Sequence, residues 1–114
     1  MRSMEKLICA DGEVLLRLKK SRIRREVLNM LAEGYPEVMC ASQVALKLHC
    51  NLGDVGGVIH GSKPRYNEMD SLINLGLVEE SVRMSGYMTN VKFYRVTQKG
   101  LFYSSLMKNH EQMP

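Results

Sequence analysis

Apolar positions recur at helical spacing in successive stretches of the chain and alternate with polar ones near its end. Ile23, Val27, Leu28 and Leu31 mark one face of a helix that begins after Ser21 and runs to about Glu33, with Arg24, Arg25 and Asn29 on the other side. The Ser21 hydroxyl can accept from a free amide of the first turn, while Gly34 stops the helix and Pro36 prevents its resumption. Glu37 to Cys40 form a short extended link, and Val44, Ala45 and Leu48 then mark a second helix, with Ser42 at or in its first turn. A helix of under three turns depends on packing partners for its stability. The pattern breaks at His49-Cys50-Asn51 and resumes at Leu52, Val55, Val58 and Ile59 as a third helix. Gly61-Ser62-Lys63-Pro64 interrupts it, because proline disfavours helical geometry at the residue before it. Met69, Leu72, Ile73 and Leu75 predict a further helical stretch from about Tyr66 to Leu75, with Asn67 available as its cap and Gly76 suited to a left-handed helix end.

From Leu77 the period changes. Leu77 to Arg83 reads as a strand and Ser85 to Asn90 as a loop with turn chemistry. Val91 to Thr97 reads as a returning strand, in which Val91, Phe93 and Arg95 alternate with Lys92, Tyr94 and Val96. Thr97 can cap a last helix from Gln98 to about Lys108, leaving His110 to Pro114 as a frayed tail. Towards the N-terminus, Val14, Leu15, Leu16 and Leu18 fit either a short helix or an edge strand, and Met1 to Asp11 carry no decisive pattern. The expected architecture is mainly α with a small β-hairpin, an α+β domain over residues 21–108. It would be preceded by an extension over residues 1–20 that is a candidate dimerisation element, and followed by the tail at 109–114.

The third helix runs against propensity. Gly53, Gly56, Gly57 and Gly61 fall within nine residues, and each glycine inside a helix costs roughly 1 kcal/mol relative to alanine. Two physical reasons could justify them: close approach of another part of the chain, as at a tight helix crossing, or a bare surface that lets a ligand such as nucleic acid come near.

Composition narrows the function classes. The 114 residues, 45% of them hydrophobic, suffice for one core but not two. No apolar run approaches the roughly 18 residues of a membrane span, and the first residues lack the unbroken apolar segment of a signal peptide. A soluble, cytoplasmic protein without a membrane partner is expected. Cys9, Cys40 and Cys50 are an odd set without scaffold spacing, so reduced thiols are the default. A formal charge of +4 and a pI near 9.1 favour an anionic partner. The basic residues cluster at Lys19, Lys20, Arg22, Arg24 and Arg25, then at Lys63 and Arg65, then at Arg83, Lys92 and Arg95. The first cluster could equally be the solvated face of a helix. A phosphate-binding glycine loop between strand and helix, a nucleophile elbow and paired carboxylates near a histidine are all missing from the sequence. Neither an enzyme nor a bound cofactor is expected. Cys40, His49, Cys50 and His60 invite a metal reading, but adjacent His49 and Cys50 rarely direct both side chains to one ion, and no CxxC pair exists.

Two junctions carry a resemblance. Leu72 to Val78 reads Leu-x-x-Leu-Gly-Leu-Val, and Tyr94 to Gly100 reads Tyr-Arg-Val-Thr-x-Lys-Gly. With the order helix, helix-turn-helix, hairpin, the chain from about Ser21 to Leu106 resembles the winged-helix transcription regulators of bacteria and archaea. It is most similar to small archaeal ones in which a GxxxRY loop, here Gly61 to Tyr66, follows the recognition helix. The resemblance implies a winged helix-turn-helix fold and a regulator bound to double-stranded DNA, with the recognition helix in the major groove and the wing on the backbone. Carried onto this sequence, the base-edge candidates are Asn51, Asp54 and His60, with Ser42, Gln43 and Lys47 on the supporting helix. Lys63, Arg65 and Tyr66 in the loop are candidates for phosphate contact, and Arg83, Tyr87, Asn90 and Lys92 for the wing. Asn51 could instead cap its helix, and Tyr87 could instead cap the hairpin. Asp54 departs from the pattern, since phosphate repels a carboxylate unless it accepts from a cytosine amino group. A homodimer through the terminal elements is expected, because operators usually have two-fold symmetry. The alternatives are a winged-helix protein-contact module, or a metal- or redox-sensing regulator using Cys40 and Cys50.

Overall fold

A computed structural model describes residues 12–62, 64–85 and 89–112. Helix α1 covers residues 12–19, which settles the segment after Gly12 as helix rather than edge strand. Its Val14 and Leu18 are buried in the common core. Helix α2, Arg22–Glu33, begins as its sequence suggests: the Ser21 side chain accepts from the Arg24 amide, and Val27, Leu28 and Leu31 are buried. Strand β1, Met39–Cys40, leads directly into α3, Ala41–Leu48. Cys40 rather than Ser42 is the cap residue, with the Gln43 side chain accepting from the Cys40 amide at 3.0 Å. His49 in the left-handed conformation turns the chain (φ 55°), and α4, Leu52–His60, follows with Asn51 as its cap.

The basic cluster around α2 divides: Lys19, Lys20 and Arg22 are exposed, whereas Arg24 and Arg25 are drawn onto α1. Arg24 is only 7% exposed, and its Nη1 reaches the Arg17 carbonyl at 3.4 Å. Arg25 Nη1 donates to the carbonyls of Leu18 and Lys19 at 3.0 and 2.6 Å. Together the two arginines close the C-terminal end of α1, where helix carbonyls lack intrahelical donors. Burial lowers the Arg24 pKa, with nearby Asp70 opposing the shift.

Residues 66–75 do not form the expected α-helix. They contain one 3-10 turn, Glu68–Asp70, capped by Asn67, followed by irregular turns, and Met69 is 61% exposed rather than inward. Tertiary hydrogen bonds win here over local spacing. The amides of Leu72 and Ile73 donate to the carbonyls of Val58 and Ile59 at 3.0 and 3.2 Å, so the segment terminates α4 from outside instead of coiling on itself. Arg17 pins the segment to α1 through Asp70 at 2.7 Å and the Met69 carbonyl at 3.2 Å.

Strands β2, Val78–Ser85, and β3, Thr89–Val96, form the hairpin, and β1 adds to the other edge of β3 to give the antiparallel order β1-β3-β2. Val78 pairs with Val96, and Tyr94 pairs with both Glu80 and Met39. Tyr94 and Val96 turn inward while Lys92 and Arg95 are exposed. Helix α5, Gln98–Gln112, runs past the expected end at Lys108 and buries Tyr103 and Met107. The buried Ser104 hydroxyl is 2.6 Å from Asn29 Oδ1, tying α5 to α2. This arrangement is the winged helix-turn-helix.

The two sequence junctions meet in space. Thr97 donates from its hydroxyl to the Gly76 carbonyl at 2.7 Å and from its amide to the Leu77 carbonyl at 3.0 Å, while that hydroxyl accepts from the Gly100 amide. Gly76 takes a positive φ of 77°. A Cβ at Gly100 would lie 2.1 Å from the Leu77 carbonyl oxygen, so only glycine lets α5 start against the entry to β2. Leu-Gly-Leu-Val and Val-Thr-x-Lys-Gly are thus two halves of one contact.

Candidate nucleic-acid interface

Helix α4 buries Val55, Val58 and Ile59 against the core. Away from that face, Gly53 is exposed and Gly56 half-buried, both bare of side chains, whereas Gly57 is buried. The glycines have different reasons. Around a Cβ at Gly56 nothing lies within 4 Å, so that position is open. A Cβ at Gly57 would fall 2.3 Å from Cδ2 of Tyr66, whose ring lies on the helix there. Gly61 ends the helix at φ 91°, and a Cβ would meet the Glu68 backbone at 2.5 Å.

Residues 61–62 and 64–70 form a strap across this helix. Ser62 and Tyr66 exchange backbone hydrogen bonds of 2.9 and 2.7 Å, making a tight hairpin whose far end returns the chain onto α4. The Tyr66 hydroxyl donates to Asp54 Oδ1 at 3.0 Å. Arg65 Nη1 approaches the same oxygen at 3.3 Å, and the guanidinium carbon sits 5.9 Å from the Tyr66 ring centre. Burial, then the Asp54 bond and charge, raise the Tyr66 pKa, so the phenol stays protonated and donates at neutral pH. The strap thus returns to α4 the side chains its own sequence lacks.

The other sequence candidates divide by their occupation. Asn51 Oδ1 accepts from the Gly53 amide at 2.8 Å, the capping role. Gln43 is exposed, with its oxygen on the Cys40 amide, and the Ser42 hydroxyl is 3.2 Å from Cys40 Sγ. Lys47 is exposed on α3. His60 Nε2 lies 2.7 Å from the Tyr94 hydroxyl and 3.9 Å from Glu80 Oε1, so its imidazole faces the sheet. Burial, then Glu80, raise the Tyr94 pKa. Lys92 pairs with Glu80 at 3.4 Å. Arg83 and Asn90 lie on the hairpin opposite Val91 and Met84. Lys63 and Tyr87 lie outside the described residues.

Neither the Glu80–His60–Tyr94 cluster nor Tyr66 seated on Gly57 is signalled by any local pattern, because each joins positions on separate elements. Cys40, His49, Cys50 and His60 do not converge. Among the described residues no group of three or more His, Cys, Asp or Glu side chains is placed to hold a metal ion. No helix among the described residues is long and apolar enough to cross a membrane.

Comparison with known proteins agrees with this architecture. Over 101 residues the chain is 32% identical to the uncharacterised protein MJ0905 of Methanocaldococcus jannaschii, covering 89% of this chain and 86% of that protein. It superimposes on the winged-helix structure of ZitR from Lactococcus lactis, a C30AH42A mutant in apo form. The TM-score is 0.55 at 17% identity, covering 98% of this chain and 74% of that one. The family described as EarA-like matches residues 14–107, from α1 to the buried Met107 of α5. The chain belongs to the EarA-like family.

Proposed function

We propose that the protein is a sequence-specific double-stranded DNA-binding regulator that docks α4 in the major groove. The observation that carries this is the outward face of α4: a glycine surface, open at Gly56, beside a strap that presents Arg65. A bare helix can approach base edges closely, and the missing affinity comes from cations beside it. Exposed Lys47 on α3 and Lys92 on β3 would supply such cations, with Arg83 and Asn90 of the hairpin, and Lys63 and Tyr87, as further backbone contacts. Asn51 and Gln43 act as caps that hold α3 and α4 in register for this docking. The fold is similar to that of a transcription regulator, and two copies would place two α4 helices about one DNA turn apart. Exposed Leu16 and Phe102 on α1 and α5 are the surface for that pairing.

Selection of bound duplexes from a random pool, followed by a salt titration, tests the reading. The logarithm of affinity should fall with the logarithm of salt at about 0.9 per neutralised phosphate. Absent or salt-independent binding would reject it. It would favour instead a protein-contact module, for which Leu46 and Leu52, 76% and 53% exposed beside the turn between α3 and α4, are the specific observation.

A further inference from the structure

We infer that Arg65 is a specificity-determining residue that reads a guanine in the major groove, held in its reading position by Asp54 and Tyr66. This rests on the DNA-binding reading above and names the base chemistry of the same site. The resemblance alone suggests a phosphate contact for Arg65, and the geometry points elsewhere.

A phosphate contact needs charge and little orientation, whereas a base contact needs a fixed guanidinium plane. The Arg65 side chain is 75% exposed, yet one nitrogen, Nη1, is 3.3 Å from Asp54 Oδ1, whose own side chain is only 22% exposed. Asp54 is itself fixed, because the same oxygen accepts from the Tyr66 hydroxyl at 3.0 Å and the residue sits in the first turn of α4. Tyr66 cannot swing away freely: its ring rests on Gly57 and its backbone is bridged to Ser62. An ion pair to a carboxylate weakens an arginine as a generic attractor of phosphate. It also tethers one guanidinium nitrogen to the first turn of α4. Among the described residues Asp54 is the one ionic partner of Arg65, through Nη1, so Nη2 and Nε are left to present a two-donor edge. Guanine offers the matching pair, O6 and N7, in the major groove. Asp54, with which Arg65 pairs, lies between Gly53 and Gly56 along α4, and a Cβ at Gly56 would meet nothing within 4 Å. Asp54 ceases to be an anomaly on a DNA-facing helix: its charge is shared by a hydroxyl and a guanidinium.

The test uses the full chain and the duplex selected from a random pool. Arg65→Ala should bind that duplex about ten- to a hundred-fold more weakly and lose discrimination at one guanine position, with the salt slope little changed. Replacing that guanine by 7-deazaguanine, which lacks the N7 acceptor, should weaken the unmodified protein by a comparable factor and leave Arg65→Ala indifferent. Asp54→Asn keeps an acceptor for Tyr66 but removes the charge that orients Arg65, and should reduce the guanine preference without abolishing duplex binding. Equal losses of Arg65→Ala on selected and scrambled duplexes, with a salt slope lower by about one, would make Arg65 a phosphate contact and overturn the proposal. So would a wild-type protein indifferent to 7-deazaguanine, a result that does not depend on how any variant folds. Wild-type protein that binds no duplex at low salt would overturn the DNA-binding reading itself.

Discussion

Adding one methyl group at Gly56 and the same group at Gly57 should move stability in opposite directions. Both positions lie inside α4, so replacing glycine by alanine recovers about 1 kcal/mol of helix propensity at each. At Gly56 the new Cβ meets nothing within 4 Å, and the gain stands. At Gly57 it would sit 2.3 Å from Tyr66 Cδ2 and 2.8 Å from Cγ, well inside the carbon–carbon optimum of about 3.5–4.0 Å. The ring cannot retreat without giving up its bond to Asp54 or the Ser62 bridge. Such overpacking costs about 1–3 kcal/mol. Because propensity cancels between the two variants, Gly57→Ala should be less stable than Gly56→Ala by about that packing cost. Urea denaturation followed by far-ultraviolet circular dichroism measures both, provided the denaturant slope is unchanged. In a Tyr66→Ala background the difference should vanish, giving a coupling of similar size. A Gly57→Ala protein as stable as Gly56→Ala would show that Tyr66 does not lie on the helix. A loss that persists without the Tyr66 ring would assign the clash to something else.

Three further outcomes follow from other contacts. Gly100→Ala forces a Cβ to within 2.1 Å of the Leu77 carbonyl oxygen, and should destabilise by on the order of 3 kcal/mol in the same denaturation assay; a loss below about 1 kcal/mol would contradict the interlocked junction. Arg24 is buried with its Nε unpartnered among the described residues, so Arg24→Met should change stability by no more than about 1 kcal/mol; a loss above about 3 kcal/mol would show that its charge holds α1 in place. At Cys40 burial works against ionisation, but hydrogen bonds from the Ser42 hydroxyl and neighbouring amides outweigh it and lower the pKa. Burial, then Asp54 and Glu26, raise that of Cys50. On raising pH, alkylation followed by peptide mass spectrometry should reach its half-maximal rate at lower pH for Cys40 than for Cys50, and the reverse order would refute the assignment.

Much of the fold was legible because its signals are local. Ser21, Asn51, Asn67 and Thr97 have side chains suited to capping, and each bonds an amide of the turn it opens. Gly76 takes the left-handed conformation that the sequence suggested. What failed was non-local. The spacing of Met69, Leu72, Ile73 and Leu75 imitates a helix, yet two of those residues lend their amides to α4 instead. Arg24 could have been anticipated, since with Leu28 and Leu31 it completes the i, i+4, i+7 stripe that is buried. The glycines of α4 stood out at once, but the occupant of Gly57 lies nine residues on, across a proline-containing loop. No periodicity could reveal that Asp54, Arg65 and Tyr66 form one unit.

If the protein binds DNA as proposed, α4 and its strap face the duplex together. Backbone amide shifts of the labelled protein, followed during titration with a selected duplex, report which residues do so. The largest changes should fall at Gly53, Gly56 and Arg65, with smaller ones at Lys47 and Lys92. Changes confined to the surface around Leu46 and Leu52 or to α5, with those glycines silent, would contradict it.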